Sequence, residues 1–306
     1  MKIAVIGAGG VGGYFGARLA QGGHEVTFVA RGRHLAAIRE RGLAIESALG
    51  AATVRCAATD DVAALPPVDV AMLCVKLWDV QATAPRLAGV VANGGVVITF
   101  QNGVESPEWV AAALGAPHVL GGIAHIGATI REPGVIAHTG TMARLRVGAF
   151  PGGPVDRAAA FADACRAAGI EVEHVPDLRL ALWDKFVFLA SFSGITSAAR
   201  APIGVVRSDP DLRAALEAAM REAWAVGRAR GVALPDDYVA KQLAFVDGLP
   251  AAMRSSMLND LEAGFRLEVP WLSGGVARMA RESGLAAPVH ATLHAVLKPF
   301  AGGRAG

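Results

Sequence analysis

The stretch Met1-Lys2-Ile3-Ala4-Val5-Ile6-Gly7-Ala8-Gly9-Gly10-Val11-Gly12-Gly13-Tyr14-Phe15-Gly16 decides the fold. Ile3 to Ile6 is an apolar run of the kind that forms a buried parallel strand. It enters Gly7-Ala8-Gly9-Gly10-Val11-Gly12, a G-x-G-x-x-G, and then a helical stretch, Tyr14 to Gln21. A second strand is predicted over Glu25 to Ala30. Strand, glycine turn, helix and strand make up the setting in which this spacing binds a dinucleotide. Gly7 permits the tight turn, Gly9 lets the backbone approach a pyrophosphate, and Gly12 lets the helix lie close to the strand. The N–H groups that open the helix then face the phosphates. Ala8, Gly10 and Val11 complete the loop.

The end of the second strand indicates which dinucleotide. An acidic residue there holds the ribose 2′-hydroxyl of NAD. This chain reads Val29-Ala30-Arg31-Gly32-Arg33-His34, with two arginines and no carboxylate. A guanidinium grips a 2′-phosphate with paired charge-assisted hydrogen bonds, whereas a carboxylate repels it. The position therefore favours NADP (NADPH) as cofactor, with Arg31 the better placed of the two arginines. A solvated loop pair is the alternative reading of Arg31 and Arg33.

Composition narrows the class. The chain has 306 residues, enough for two domains. Hydrophobic residues make up 53%, so some apolar surface is available to be buried between subunits, and a homodimer is compatible with that. No apolar run reaches the ~18 residues that a transmembrane helix needs; the longest candidate, Phe186 to Ala199, is shorter and carries Ser191, Ser193, Thr196 and Ser197. No membrane association is expected. Lys2 and the following apolar residues superficially resemble a leader peptide, but the glycines fit a βα turn instead. Cys56, Cys74 and Cys165 show no C-x-x-C and no metal-binding spacing, so no metal is expected. Three scattered thiols point to a reducing, cytoplasmic setting. With a net charge of +2 and no basic block, nucleic acid is not implied.

Further along, Val68 to Val75 and Gly95 to Phe100 read as central parallel strands, and Val119 to Ala124 as another. Val135 to Thr139 and Leu145 to Gly148, flanking Gly140, predict a β-hairpin, and Ala158 to Ala168 a helix closed by Gly169. Residues 1–175 thus predict a doubly wound Rossmann-type sheet with an antiparallel extension, an α/β domain. Near Val175-Pro176 the signal turns helical, so residues 176–306 form an all-α domain in this reading. Leu178, Leu182, Lys185, Leu189 and Phe192 share one face of a long helix. Asp209-Pro210 opens a helix that runs to Arg230, and further helices are predicted over Asp236–Val246, Ala251–Glu262, Val269–Ser283 and Val289–Leu297.

Several short motifs now line up in order along nearly the whole chain. They are the glycine loop, Val75-Lys76, Gln101-Asn102-Gly103, Leu182-Trp183-Asp184-Lys185, and Ser255-Ser256-Met257 through Glu268. Together they resemble the ketopantoate reductase family, whose members reduce 2-dehydropantoate to pantoate with NADPH on the route to pantothenate. On its residues alone, a lysine interrupting an apolar stripe reads first as one that snorkels from a partly buried helix. The resemblance makes Lys185 the general acid, a role that an apolar setting supports by lowering its pKa. It places Asn102 near the nicotinamide and the substrate carbonyl. Lys76 would lie at the cofactor and substrate cleft, and Ser256 and Glu268 would hold the substrate carboxylate and hydroxyl. Each has a plainer reading: Asn102 as a turn residue before Gly103, Lys76 as a loop cation, Ser256 as an exposed helix serine, and Glu268 as a charge favoured at a helix N-terminus.

One departure concerns the substrate. Family members commonly carry asparagines four and eight residues after the lysine, where this chain has Leu189 and Ser193. Ser193 can still bond a substrate, but Leu189 replaces an amide with hydrocarbon. A site that loses such hydrogen bonds changes which substrate it accepts, so the expected substrate is a small-molecule 2-oxo acid, either ketopantoate or a bulkier, more apolar one. A 3-hydroxy acid dehydrogenase and a non-catalytic NADPH-binding sensor stay open as alternatives.

Overall fold

The computed structural model describes residues 1–304. Its first element, strand β1 (Lys2–Ile6), is buried from Ile3 onward. Helix α1 (Gly10–Gln21) and strand β2 (Glu25–Val29) follow, then α2 (Gly32–Arg41) and the short strands β3 (Leu43–Glu46), β4 (Ala52–Val54) and β5 (Ala57–Thr59). Next come β6 (Val70–Leu73), α3 (Leu77–Thr83), β7 (Val96–Thr99), α4 (Ser106–Leu114), β8 (Val119–Glu132), β9 (Val135–Ala149), α5 (Val155–Ala167) and β10 (Glu171–His174).

These strands form one sheet in the order β4-β3-β9-β8-β7-β6-β1-β2-β5, with β10 also paired to β9. From β5 through β2, β1, β6 and β7 to β8, every pairing is parallel. That run has the strand order of the doubly wound dinucleotide-binding fold, with its reversal between β1 and β6. The period of two in the strands explains why both faces are covered. Ile3, Val5, Met72 and Ile98 enter one core cluster, while Ala4, Ile6, Leu73 and Val97 enter the other.

The antiparallel extension differs from the expected hairpin about Gly140. Residues 135–149 form the single strand β9, antiparallel to β8, and the chain reverses at Pro133-Gly134 instead. Gly140 lies inside β9 with φ +77°. The register jumps there, from Ile126 opposite Ala143 to Gly127 opposite Thr139. A glycine inside a strand pattern marks a bulge as readily as a turn. The His138 ring spans this bulge, 3.0 Å from the Met142 carbonyl oxygen.

The second half is helical: α6 (Leu178–Ala199), α7 (Ile203–Ser208), α8 (Pro210–Ala229), α9 (Tyr238–Asp247), α10 (Ser256–Ala263), α11 (Ser273–Glu282) and α12 (Pro288–Leu297). Asp209 caps α8 by accepting from the Leu212 N–H at 2.9 Å, and Pro210 sits at the first helical position. Helix α6 is buried on all sides from Ala190 to Ser197, so the apolar stripe understates it. Ser191 and Thr196 settle their hydroxyls by donating to the Val187 and Phe192 carbonyls one turn back, at 2.8 and 2.6 Å. The chain divides into two compact units. One comprises Met1–Gln101 and Glu105–Ala181; the other comprises Asn102–Val104 and Leu182–Gly306. The division thus falls within α6, further along than Val175-Pro176, and the short piece around Asn102 belongs with the helices.

No helix among the described residues is long and apolar enough to cross a membrane. Cys56, Cys74 and Cys165 are all free thiols.

Candidate active site

In the sheet unit, the loop between β1 and α1 is shaped by what side chains would hit. Gly7 has φ +105°, and a Cβ there would lie 3.0 Å from the Cys74 carbonyl carbon and the Val75 nitrogen. Its N–H and that of Ala8 both donate to the Val29 carbonyl, at 3.1 and 3.0 Å. A Cβ on Gly10 would overlap the Ala128 carbonyl oxygen, and one on Gly12 would overlap the Gly7 carbonyl oxygen. Gly9 differs, because a Cβ there meets nothing within 4 Å. Gly9 is also the N-cap of α1, and no acidic side chain sits in the helix's first turn. Val11 is half-buried and Ala8 buried. Packed backbone on either side, open space at Gly9 and an uncountered helix N-terminus together fit a dinucleotide pyrophosphate.

Arg31 and Arg33 lie just beyond β2, both exposed; Arg31 is the N-cap of α2 in extended conformation. Lys76 follows β6 as the exposed N-cap of α3, with its ammonium 5.8 Å from the centre of the Trp78 ring. Gln101, singled out in sequence only as part of a motif, has a definite role here. Its buried amide donates to the Leu73 and Val75 carbonyls at 2.7 and 2.9 Å, tying the ends of β7 and β6 together.

The helical unit joins three residues far apart in sequence. The Lys185 ammonium donates to Asn102 Oδ1 at 3.0 Å. Asn102 Nδ2 in turn donates to Glu268 Oε2 at 3.0 Å. The two bonds fix the amide's orientation, with its oxygen toward the cation and its nitrogen toward the anion. Lys185 rides on α6, where Trp183 packs against Gly227 of α8 and the Tyr238 hydroxyl donates to the Asp184 carbonyl. Glu268 precedes α11, and its carbonyl accepts from the Trp271 and Leu272 N–H groups, both at 3.0 Å. Its side chain is buried at 5% exposure and turns to Asn102, not to the helix N-terminus.

Burial pulls the Lys185 ammonium down to about 8, while the Glu268 carboxylate works in the opposite direction. A lysine poised there can release a proton near neutrality, which suits a general acid. Leu189, one turn along α6, is half-buried.

The remaining predicted residues stand apart from this bonded set. Ser193 is fully buried, and its hydroxyl has no hydrogen-bond partner within the protein. Ser256 is exposed at the first turn of α10. Its neighbour Ser255 does the structural work, accepting from the Leu258 N–H at 3.1 Å and lying 2.8 Å from the Thr196 hydroxyl. The helix predicted from Ala251 begins only at Ser256, with Ser255 as its cap; a serine before an apolar run is a signal that could have placed it, whereas nothing local foretells its bond to Thr196.

Residues 3–152 match the family model described as ketopantoate reductase PanE/ApbA, and residues 177–301 match the model of that family's C terminal. A 2-dehydropantoate 2-reductase of Halobacterium salinarum is 32% identical over 297 residues, 96% of each chain. The crystal structure of a PanE/ApbA family ketopantoate reductase from Ralstonia eutropha superposes with a TM-score of 0.90 at 31% identity, covering 98% of both chains. A D-mandelate dehydrogenase bound to NADH and anilino(oxo)acetate shares the fold at a TM-score of 0.88, with 19% identity and 98% of each chain covered. From its glycine loop to its Lys185–Asn102–Glu268 chain, this protein belongs to the ketopantoate reductase family.

Proposed function

We propose that this protein is an NADPH-dependent reductase of 2-dehydropantoate or a related 2-oxo acid, yielding the 2-hydroxy acid. The observation that carries the reading is the bonded chain Lys185–Asn102–Glu268, with its lowered lysine. Bound NADPH supplies the hydride for the carbonyl carbon. Lys185 gives a proton to the carbonyl oxygen as charge develops there. Asn102 holds the ammonium in position, and Glu268 receives the substrate hydroxyl. Ser256 and Lys76 are further substrate contacts, Lys76 serving the cofactor as well, whereas Ser193, fully buried, is closed off from a substrate. Arg31 holds the 2′-phosphate. In this reading the sheet unit takes the cofactor, the helical unit takes the acid, and the free thiols suit a reducing cytoplasm.

Leu189 supports the wider substrate class. It places hydrocarbon one turn from Lys185, which favours an apolar substituent on the oxo acid.

The test is NADPH oxidation, followed by nicotinamide absorbance, with ketopantoate beside a panel of other 2-oxo acids. Turnover on ketopantoate, or on a bulkier member of the panel, supports the reading. NADPH binding without turnover on any of them overturns it in favour of a sensor. Arg31→Ala is expected to weaken NADPH about tenfold or more while sparing NADH, the loss of one charge-assisted pair. Equal losses for both cofactors would remove Arg31 from the 2′-phosphate site.

A further inference from the structure

The glycine loop is held by a side chain that the dinucleotide fingerprint does not include. His34 lies in the first turn of α2, half-buried. Its Nε2 is 2.8 Å from the Ala8 carbonyl oxygen. Its Nδ1 accepts from the Gly134 N–H at 3.0 Å, at the turn between β8 and β9. One imidazole thus bridges the glycine loop and the hairpin tip from a helix that touches both.

The partners decide the tautomer. Gly134 offers an N–H, so Nδ1 must be the bare acceptor; Ala8 offers a carbonyl, so Nε2 carries the hydrogen. Only the neutral ring makes both bonds. Burial agrees, because it holds the His34 pKa below the usual histidine value, against the bond to Ala8.

The far end of this link is itself anchored. Gly134 has φ +83°, and a Cβ there would lie 3.0 Å from the Ala37 side chain of α2. Its carbonyl accepts from the Ala44 N–H at 2.8 Å, and Arg41 donates to the adjoining Pro133 carbonyl at 3.2 Å. The hairpin also abuts the loop directly, where Gly10 lies against Ala128. His34 therefore bonds the loop to a braced support.

The consequence follows from peptide planarity. In a trans peptide the carbonyl and the next N–H point in opposite directions. Holding the Ala8 oxygen fixes the direction of the Gly9 N–H, at the one position of the loop described above where open space replaces packed backbone. We propose that His34 is a positioning residue for the cofactor, orienting the Ala8–Gly9 peptide so that its N–H meets the dinucleotide pyrophosphate. This rests on the cofactor reading given above.

The experiment is a fluorescence titration of the full chain with NADPH, for wild type, His34→Phe and His34→Gln, with thermal unfolding alongside. Phenylalanine keeps the ring's bulk and loses both bonds. Glutamine can donate to Ala8 and accept from Gly134. The expected result is a dissociation constant raised about tenfold in His34→Phe and restored to within about threefold in His34→Gln, as loss and recovery of a hydrogen bond predict. KM for the oxo acid should stay put in both. Wild-type affinity in His34→Phe overturns the assignment. So does a folded His34→Gln that binds no better than His34→Phe. If His34→Phe does not fold, His34→Leu takes its place and is read the same way: a tenfold loss that His34→Gln restores supports the role, and wild-type affinity overturns it. A wild-type chain that binds neither NADPH nor NADH would instead sink the proposed function itself.

Discussion

The glycine loop after β1 and the Lys185–Asn102–Glu268 chain work by opposite means. The loop acts through absent side chains: backbone packs against backbone at Gly7, Gly10 and Gly12, and space is left at Gly9. The lysine chain acts through side chains alone, drawn from positions 83 and 166 residues apart. The first is a local design, so it is contiguous in sequence. The second is made by folding, so no window of sequence contains it.

The sharpest way to break this comparison is to remove Lys185, the proposed acid. Lys185→Ala is expected to lower kcat by about 10²–10⁴, the usual worth of general acid catalysis. NADPH affinity should be unaffected, because the loop does not depend on that side chain. A variant retaining more than about a tenth of wild-type kcat would take proton donation away from Lys185.

The glycine loop gives a paired test. Gly10→Ala forces a methyl into the Ala128 carbonyl, and backbone cannot easily give way. A stability loss of roughly 2–3 kcal/mol is expected from such overpacking, read by denaturant unfolding. Gly9→Ala has φ −76° and open space, so its stability should stay within about 0.5 kcal/mol of wild type. Its cofactor affinity should nonetheless fall about tenfold, because the methyl takes room meant for phosphate. Equal affinity in Gly9→Ala and wild type would mean that the open space does not serve the cofactor.

The pH profile sharpens the other side. Burial pulls the Lys185 ammonium down to about 8, and the proposed reaction needs its protonated form. The rate of reduction should therefore fall as pH rises through that value. Glu268 raises the lysine's pKa, so Glu268→Gln should move this alkaline limb to lower pH. A limb that stays in place in Glu268→Gln would separate the carboxylate from the acid.

The smallest effects separate the adjacent serines. Ser255→Ala removes a helix cap and the bond to Thr196, costing about 1 kcal/mol of stability. Ser256→Ala, exposed, should leave stability alone and raise KM for the oxo acid several-fold. The reverse pattern would exchange their roles.

Much of the fold was legible because the signals were local. The β1–α1–β2 entry, the parallel strands and the capped α8 follow from alternation, glycine spacing and Asp209-Pro210. The β8–β9 pairing was not, because Gly140 could mark either a turn or a bulge. Only the partner strand β8, with its own register, turned it into a bulge. Strands β3, β4 and β5 carry no such signal; each is short, and each pairs with a neighbour that local pattern does not reveal.

At the site, the resemblance marks Lys185, Asn102 and Glu268, and their bonding exists only in three dimensions. Gln101 and His34 show the limit more clearly. A glutamine before Asn-Gly and a histidine after two arginines carry no local signature of what they hold. Their partners are main-chain carbonyls and N–H groups, which every residue has and which no sequence pattern marks. By itself the sequence determined the elements, the glycine loop and the residue types able to do acid chemistry, since these depend on neighbours along the chain. Tertiary structure alone decided which carbonyl His34 meets, which amide joins Lys185 to Glu268, and how far burial lowers that lysine, because each depends on groups brought near only by folding.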